Sequence, residues 1–120
     1  MFGDGLQRRD FTYVDDAVRA LCLAILDDAA VGLVLNVGSH EPVTLLEVAH
    51  RLIELNGAGA YDVVPFPPDR LAIDIGDYFA DSSKLEGLLS WSPEVDLDDG
   101  LRRTLDYFRV HGQQYWGEAT

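Results

Sequence analysis

The sequence predicts an α/β fold, because extended apolar segments alternate along the chain with segments whose apolar residues recur at helical spacing. The predicted order is strand, helix, strand, helix, one or two strands, and then two helices. Strands of this kind are buried on both faces in a larger sheet, and few of them occur in this chain. We therefore expect residues 1–120 to form a single partial domain with few strands and about four helices.

The first third of the chain predicts two strands around one helix. Residues 7–14 alternate loosely and include β-branched and aromatic side chains, which favours a strand. A helix is expected to start at Asp15 or Asp16. Residues 34–38 form a short apolar run ending in glycine, which predicts a buried strand. One face of the helix carries Val14, Val18, Leu21, Cys22, Ile25 and Leu26. Cys22 is therefore expected to be a buried core thiol.

The middle of the chain predicts a helix, a strand and a loop. Thr44 and Glu47 form the capping-box pattern T-L-L-E at the start of the helix, which is expected to end near the glycines at 57–59. Residues 61–66 predict a strand that two prolines end. Residues 69–77 predict a loop, because their apolar residues have no clear period.

Two more helices are predicted in the last third of the chain. Ser83 and Glu86 repeat the capping pattern and start a short helix, which the following W-S-P sequence breaks. Asp96 or Asp98 starts the last helix. Residues 111–120 are expected to form a flexible tail.

The charge balance argues against a polyanionic partner. Nine basic residues oppose 21 acidic ones, which gives a net charge of −12 and a pI near 4.3. Nucleic acid demands a basic face, so no nucleic-acid binding is expected, although a small anion can bind where positive charge is locally concentrated. No apolar run approaches the roughly 18 residues of a membrane span, and the N-terminus lacks a signal pattern. We expect a cytoplasmic protein without a membrane partner.

The residues predict no catalytic, cofactor or metal site within this chain. His40, His50 and His111 are scattered, without the spacing of metal ligands. The glycine pairs lack the strand-then-helix context of a dinucleotide-binding loop. Lys84 has alanine instead of tyrosine four residues before it, so a proton-transfer pair on one helix face is absent. The acidic pair at 15–16 is interpreted as complementing a helix dipole.

The strongest functional pattern is a cluster of hydrogen-bond donors near the N-terminus. Gln7, Arg8 and Arg9 follow two glycines that let a backbone approach a ligand closely. A guanidinium group can bond two oxygens at once, so the cluster suits a phosphate or diphosphate. Arg70 and Asp74, on the later loop, are the other candidates. From the residues alone, a solvated surface arginine remains the alternative for Arg9.

Several longer motifs follow one another along nearly the whole chain. The most specific is G-D-G-L-Q-R-R-D-F-T-Y-V-D-D-A-V-R-A at 3–20. The others are L-N-V-G-S at 35–39, T-L-L-E-V-A at 44–49, P-F-P-P-D-R at 65–70, D-I-G-D-Y-F-A-D-S-S-K at 74–84, W-S-P at 91–93 and D-D-G-L-R-R-T-L-D-Y-F at 98–108. Together they resemble the extended short-chain dehydrogenases/reductases of the NAD-dependent epimerase/dehydratase family, and UDP-glucose 4-epimerase-like proteins most of all.

The resemblance implies that these residues are the C-terminal portion of an extended Rossmann-type enzyme, which completes its sheet and forms its nucleotide-sugar site. In such enzymes the glycine-rich NAD loop and the tyrosine/lysine catalytic pair lie upstream of everything present here. Hydride transfer needs both. NAD is thus the cofactor of the family, but this chain alone is expected neither to bind NAD tightly nor to turn over.

The resemblance also implies roles for individual residues. Arg9 matches the family arginine that grips the diphosphate of the sugar nucleotide, and Gln7 matches a neighbouring polar contact. Arg70 resembles the second diphosphate arginine, and Asp74 the acid that bonds the ribose. Ser90 stands where the family usually has glycine.

Three functions stay open at this point. The chain is the C-terminal substrate-binding part of an epimerase/dehydratase for a UDP- or dTDP-sugar such as UDP-glucose or UDP-galactose, or a stand-alone nucleotide-sugar-binding module, or a non-catalytic interaction protein. Exposed sheet edges further predict self-association or pairing with the missing N-terminal half.

Overall fold

The computed structural model describes residues 1–71 and 73–116, and within these ranges it contains six helices and two short strands. The helices are α1 (Val14–Leu26), α2 (Leu45–Asn56), α3 (Pro68–Leu71), α4 (Ser83–Leu89), α5 (Leu97–His111) and α6 (Gln113–Trp116). The strands are β1 (Arg8–Asp10) and β2 (Pro42–Thr44), and a short 3₁₀ helix, Asp28–Ala30, follows α1.

The two strands form a small antiparallel sheet in which Arg9 faces Val43. On its other edge, β1 accepts a second neighbour from the loop after α3, where Tyr78 makes a parallel bridge with Arg9. The predicted strand at 7–14 is therefore present in shortened form, between two neighbours that are distant in sequence.

Two predicted strands are wrong for the described part of the chain. Residues 34–38 pair with no described strand, and within 61–66 only Val64 makes a bridge, to Phe2. Leu35 and Val37 still pack on the core, as their apolar character requires. The apolar pattern placed Leu35 and Val37 against the core, but it also predicted burial of Val34, which is 82% exposed. A strand further needs a hydrogen-bonded neighbour, and that neighbour is set by tertiary structure.

The core is small and lies where α1, α4 and the segment after α4 meet. Its buried residues are Ala20, Ala30, Leu85, Leu89 and Trp91. Leu85 and Trp91 are each 1% exposed, and they are the largest apolar side chains that are fully buried.

Helix α1 turns its small side chains inward and its larger ones outward. Ala20 is 3% exposed, whereas Ile25 is 80% and Leu26 is 83% exposed. Cys22 is exposed as well, so the predicted buried thiol is wrong. A helix that is apolar on nearly all sides is normally covered on all sides, and in this structure α1 is covered on one.

Asp16 does more than complement the dipole of α1, which begins two residues earlier at Val14. The Asp16 side chain is 2% exposed. Its carboxylate accepts hydrogen bonds from the backbone N–H groups of Glu94 and Val95, both at 3.0 Å, and from Arg19 at 2.7 Å. Burial alone would raise the pKa of Asp16, but these hydrogen bonds hold the pKa below its ordinary value. Asp16 thus anchors the segment that follows the core tryptophan.

The capping box that starts α2 is confirmed. Thr44 Oγ1 accepts from the Glu47 N–H at 3.1 Å, and the Glu47 carboxylate accepts from the Thr44 N–H at 2.7 Å. The helix ends where Gly57 adopts a left-handed conformation, as the glycines at 57–59 predicted.

Helices α4 and α5 lie where the sequence predicts them, but the residue that caps α4 differs from the prediction. Asp96 caps α5 by accepting from the Asp99 N–H at 2.8 Å, as predicted. The N-cap of α4 is Ser82 instead of Ser83, and the Ser82 hydroxyl donates to Glu86 at 2.5 Å.

Two segments predicted to lack regular structure contain short helices. Helix α3 occupies the start of the predicted loop 69–77. Helix α6 lies in the predicted tail, whose last residues, 117–120, are outside the described residues. The flexibility of that tail stays a prediction.

The described molecule is extended for its length. Its radius of gyration is 17.2 Å, where a compact chain of this size has about 14 Å. No helix in the described ranges is long and apolar enough to cross a membrane. The elongated shape and the uncovered face of α1 agree with the expectation of part of a larger α/β fold.

Candidate functional site

The candidate site lies where residues 7–10 meet residues 74–80, and we call this pair of segments the clasp. The Tyr78 N–H donates to the Arg8 carbonyl at 3.0 Å. In return, the Arg8 N–H donates to the Asp77 carboxylate at 2.8 Å. These bonds fix the loop on the edge of β1, so that two motifs far apart in sequence form one surface.

Arg9 is the central side chain of the clasp and is partly buried. Its Nη1 donates to the Gly76 carbonyl at 2.5 Å and to the Arg8 carbonyl at 2.8 Å. Gly76 has a φ of +64°, a left-handed conformation that glycine adopts without strain. The turn at Gly76 therefore aims a carbonyl at Arg9 and fixes the guanidinium without neutralising its charge.

Gln7 and Asp74 are brought together across the clasp. Gln7 Nε2 donates to Asp74 Oδ2 at 3.0 Å, and both side chains are partly buried. The Asp74 backbone N–H donates to the Leu71 carbonyl at 3.3 Å, which holds the main chain at Asp74 close to the end of α3. Gln7 and Asp74, two of the predicted site residues, are thus in direct contact within the clasp.

Arg70 stands apart from the other predicted residues. It lies in α3, is exposed, and its backbone N–H donates to the Pro67 carbonyl at 3.0 Å. Within the ranges 1–71 and 73–116, the Arg70 guanidinium has no hydrogen-bond partner. The structure therefore places Arg70 at the start of the loop that carries Asp74, without joining it to Arg9.

Arg8 belongs to the same donor cluster in sequence but to the opposite face of β1, because successive residues of a strand alternate. Its guanidinium lies 5.7 Å from the centre of the Phe79 ring and donates to the Pro42 carbonyl at 3.3 Å. Arg8 thus packs on the back of the clasp, while Arg9 and Gln7 share the front.

The cations of the clasp differ from most other arginines in lacking acidic partners. The arginines that form ion pairs are Arg19, Arg51, Arg102, Arg103 and Arg109. Among the described residues, no carboxylate lies within 4.0 Å of the guanidinium groups of Arg8, Arg9 or Arg70. The clasp also contains Asp10, Asp74 and Asp77, but their carboxylates accept from the Ala80 N–H, the Gln7 amide and the Arg8 N–H, so Arg9 lies in a site of mixed charge without a direct ion pair.

Three residues that organise the clasp were missed in the sequence. Gly76, Asp77 and Asp10 lie within the quoted motifs, but only their partners across the clasp reveal what they do. The one available signal in the sequence was the alternation of side chains along residues 7–10, which puts Arg9 on the opposite face of the strand from Arg8 and Asp10.

The histidines have partners of other kinds. His40 Nε2 lies 2.7 Å from Glu86 Oε1, and His50 Nε2 lies 2.7 Å from the Tyr61 hydroxyl. No group of three metal-ligating side chains occurs in the part of the chain that the structure describes. Lys84 Nζ donates to the Val34 carbonyl at 3.1 Å.

Comparison with known proteins identifies the family. A family model described as GDP-mannose 4,6 dehydratase matches residues 1–104. The chain belongs to this family. The match confirms the resemblance to NAD-dependent epimerases and dehydratases, and it includes both segments of the clasp.

Members of the family resemble the chain in sequence and in structure. A dTDP-glucose 4,6-dehydratase of Streptomyces niveus is 36% identical over 109 residues, which are 91% of this chain and 32% of that protein. The UDP-glucose 4-epimerase of Thermotoga maritima, solved with UDP-glucose, has a TM-score of 0.80 at 34% identity, covering 92% of this chain and 34% of that one. The UDP-glucuronic acid 4-epimerase of Bacillus cereus, solved with UDP-glucuronic acid and NAD, has a TM-score of 0.76 at 34% identity, with the same coverage.

The chain thus spans about a third of the length of the relatives that it matches. Its fold is that of the corresponding third of nucleotide-sugar epimerases and dehydratases.

Proposed function

We propose that this chain is the C-terminal substrate-binding part of a nucleotide-sugar epimerase or dehydratase, and that the clasp binds the diphosphate of a UDP- or dTDP-sugar such as UDP-glucose. One observation carries the proposal. Arg9 is held by two carbonyl oxygens and has no carboxylate within 4.0 Å among the described residues, so its charge is available to an anion. Relatives of the same family were solved with UDP-sugars, which supports that choice of anion.

The other predicted residues take roles around Arg9. Asp74 uses one carboxylate oxygen to accept from Gln7, which leaves its second oxygen for a ribose hydroxyl. The remaining N–H of the Gln7 amide can donate to a phosphate oxygen. Arg70, exposed on α3 at the start of the loop that carries Asp74, is the second cation that we propose for the diphosphate.

The proposal assigns binding and no chemistry to this chain. NAD is present in solved relatives, and in this family it supplies the hydride carrier for the reaction on the sugar. Lys84, the one lysine, bonds a backbone carbonyl, and the residue four positions before it, where a catalytic pair needs tyrosine, is Ala80, which lies in the loop before α4. The chain alone is therefore proposed to bind no NAD tightly and to be inactive.

Isothermal titration with UDP-glucose tests the binding proposal. Arg9→Ala should weaken binding about 10- to 100-fold, since a hydrogen bond to a charged group is worth about 1.5–3 kcal/mol. Arg102→Ala is the matched control, because it removes the same charge from an arginine that pairs with Asp99 at 3.6 Å on α5. A wild-type chain that binds neither UDP-glucose nor UDP at millimolar concentration, or an Arg9→Ala chain that binds like wild type, contradicts the proposal.

A second candidate function, interaction with another polypeptide, is favoured by the apolar surface around α1. Leu21, Ile25 and Leu26 are 61%, 80% and 83% exposed, and Val31 and Val34 beside them are 76% and 82% exposed. A soluble monomer seldom leaves so large an apolar patch in water. We propose that this surface is covered by self-association or by pairing with an NAD-binding half.

Sedimentation velocity over a hundredfold range of protein concentration tests whether the chain self-associates. Wild type should shift to a larger species as its concentration rises, and Ile25→Glu should reduce that shift. Val110→Glu is the control, since Val110 is 74% exposed at the C-terminal end of α5 and is not part of the patch around α1. A wild-type chain that sediments as a monomer throughout excludes self-association and leaves pairing with the other half.

A further inference from the structure

Asp10 follows Arg9 in sequence but does not contact its guanidinium. The alternation of β1 puts the two side chains on opposite faces, and no ion pair joins them among the described residues. Asp10 Oδ2 instead accepts the Ala80 N–H at 2.9 Å, in a partly buried position. A carboxylate adjacent to the key cation is thus turned away from it and used to hold the far end of the loop.

Gly38 closes the other side of this contact. It is buried, and a Cβ at this position would overlap Asp10 Oδ2 and would lie 2.9 Å from Ala80 Cβ. Three segments therefore meet at the Asp10 carboxylate: the end of β1, the loop at 74–80, and the extended segment that ends at Gly38.

The position of Ala80 matters for Arg9 because both ends of one short loop segment are held on β1. Gly76, four residues before Ala80, supplies the carbonyl that bonds Arg9 Nη1. Residues 77 and 78 are fixed to Arg8 between these two points. Release of Ala80 removes one of the three hydrogen bonds that hold residues 77–80 on β1, so the segment is attached less firmly and the Gly76 carbonyl is held less firmly at Arg9.

We propose that Asp10 is a positioning residue for the diphosphate site. It fixes the loop against β1 so that the Gly76 carbonyl orients the Arg9 guanidinium, and it does so from the opposite face, without forming an ion pair with Arg9. The proposal rests on the diphosphate-binding function proposed above, and Asp10 acts on the ligand only through Arg9.

A double-mutant cycle with UDP as the titrated ligand tests this coupling. Asp10→Ala should weaken UDP binding about fivefold or more, and Asp10→Asn should remain within about twofold of wild type, because asparagine Oδ1 still accepts the Ala80 N–H. In an Arg9→Ala background, Asp10→Ala should cost less than about twofold. A purely structural role of Asp10 would give the same loss in both backgrounds and would overturn the proposal.

Asp4→Ala is the matched control for loss of an aspartate that accepts a backbone N–H. Asp4 Oδ1 accepts from the Leu6 N–H at 3.0 Å, close to the clasp in sequence but within its own turn. This variant should bind UDP within about twofold of wild type. A loss equal to that of Asp10→Ala would show a general effect of charge or folding and would contradict a specific role for Asp10.

Nuclear magnetic resonance tests the same coupling without ligand. In wild type, the Ala80 amide and the Arg9 guanidinium hydrogens should exchange slowly with solvent, and both should lose protection in Asp10→Ala but keep it in Asp10→Asn. Unchanged protection of the Arg9 hydrogens in Asp10→Ala would overturn the inference. If wild type shows this pattern but binds no UDP, the diphosphate function fails while Asp10 still positions Arg9.

Discussion

Replacement of Asp16 by alanine should destabilise the fold more than any other single loss of charge in the described chain. The substitution removes the acceptor of the Glu94 and Val95 N–H groups and of Arg19. The Asp16 backbone carbonyl also accepts from Trp91 Nε1 at 3.0 Å, so the side chain and main chain of one residue organise the core tryptophan and the segment after it.

The magnitude follows from what each donor does after the substitution. Arg19 is about one-third exposed and also pairs with Glu94 at 3.1 Å, so it can turn to solvent at little cost. The two backbone N–H groups, which are partly buried, are left without their acceptor; an unsatisfied buried group costs about 1–3 kcal/mol, so the lower half of that range applies to each. We therefore expect a loss of about 2–4 kcal/mol in the free energy of unfolding, a large part of the stability of a small domain.

Urea unfolding followed by tryptophan fluorescence measures this loss, because Trp91 is buried beside the substituted residue. Asp15→Ala is the matched control: the Asp15 side chain is 70% exposed and its nearest cation, Arg103, is 3.7 Å away, so its loss should cost less than about 0.5 kcal/mol. An Asp16→Ala chain that loses less than 1 kcal/mol, or no more than Asp15→Ala, would refute the anchoring role.

Three further predictions concern pH, the clasp and α2. The pKa of Asp16 is lower in the folded than in the unfolded chain, so its carboxylate stabilises the fold above about pH 4, and this stabilisation is lost as the pH falls through the folded pKa. In urea unfolding from pH 6 to pH 3, the free energy of unfolding should therefore fall more steeply for wild type than for Asp16→Asn. Gly76→Ala should lower the free energy of unfolding, measured by calorimetry, by about 1–2 kcal/mol and weaken UDP binding, because Gly76 has a φ of +64° although a Cβ would meet open space. Gly87→Ala is the control: it lies in α4 with equally open space and should be neutral or stabilising. Thr44→Ala should lower the free energy of unfolding by about 1 kcal/mol in urea, because the capping box loses its side-chain acceptor, and a change below 0.3 kcal/mol would contradict that role.

The sequence was most successful where structure depends on neighbours within one helical turn. The capping box of Thr44 and Glu47 and the Asp96 cap of α5 were both predictable, because each joins residues three apart. The strand at 34–38 was not, since no described strand pairs with it. The apolar pattern of α1 predicted the helix but assigned its larger residues to the interior, because a helix apolar on nearly all sides does not reveal which face its own chain will cover.

The sequence also predicted only part of the candidate site. Motif resemblance predicted Gln7, Arg9, Arg70 and Asp74, and the contact between Gln7 and Asp74 joins two of them. It did not predict that Arg70 lies apart on α3 or that Arg8 packs on the opposite face against Phe79. The ligand roles of the four predicted residues await the binding experiments.

The sequence by itself determined the four longer helices, the acidic charge, the donor cluster and the family to which the chain belongs. Tertiary structure alone decided that Asp16 is a buried anchor, that Asp10 holds the loop and that Arg9 has carbonyls instead of carboxylates around it. The physical reason is distance along the chain. Helix caps close over a few residues, whereas the contacts of Asp10 and Asp16 span 70 and 78 positions, and no local pattern specifies which distant backbone groups will meet a given side chain.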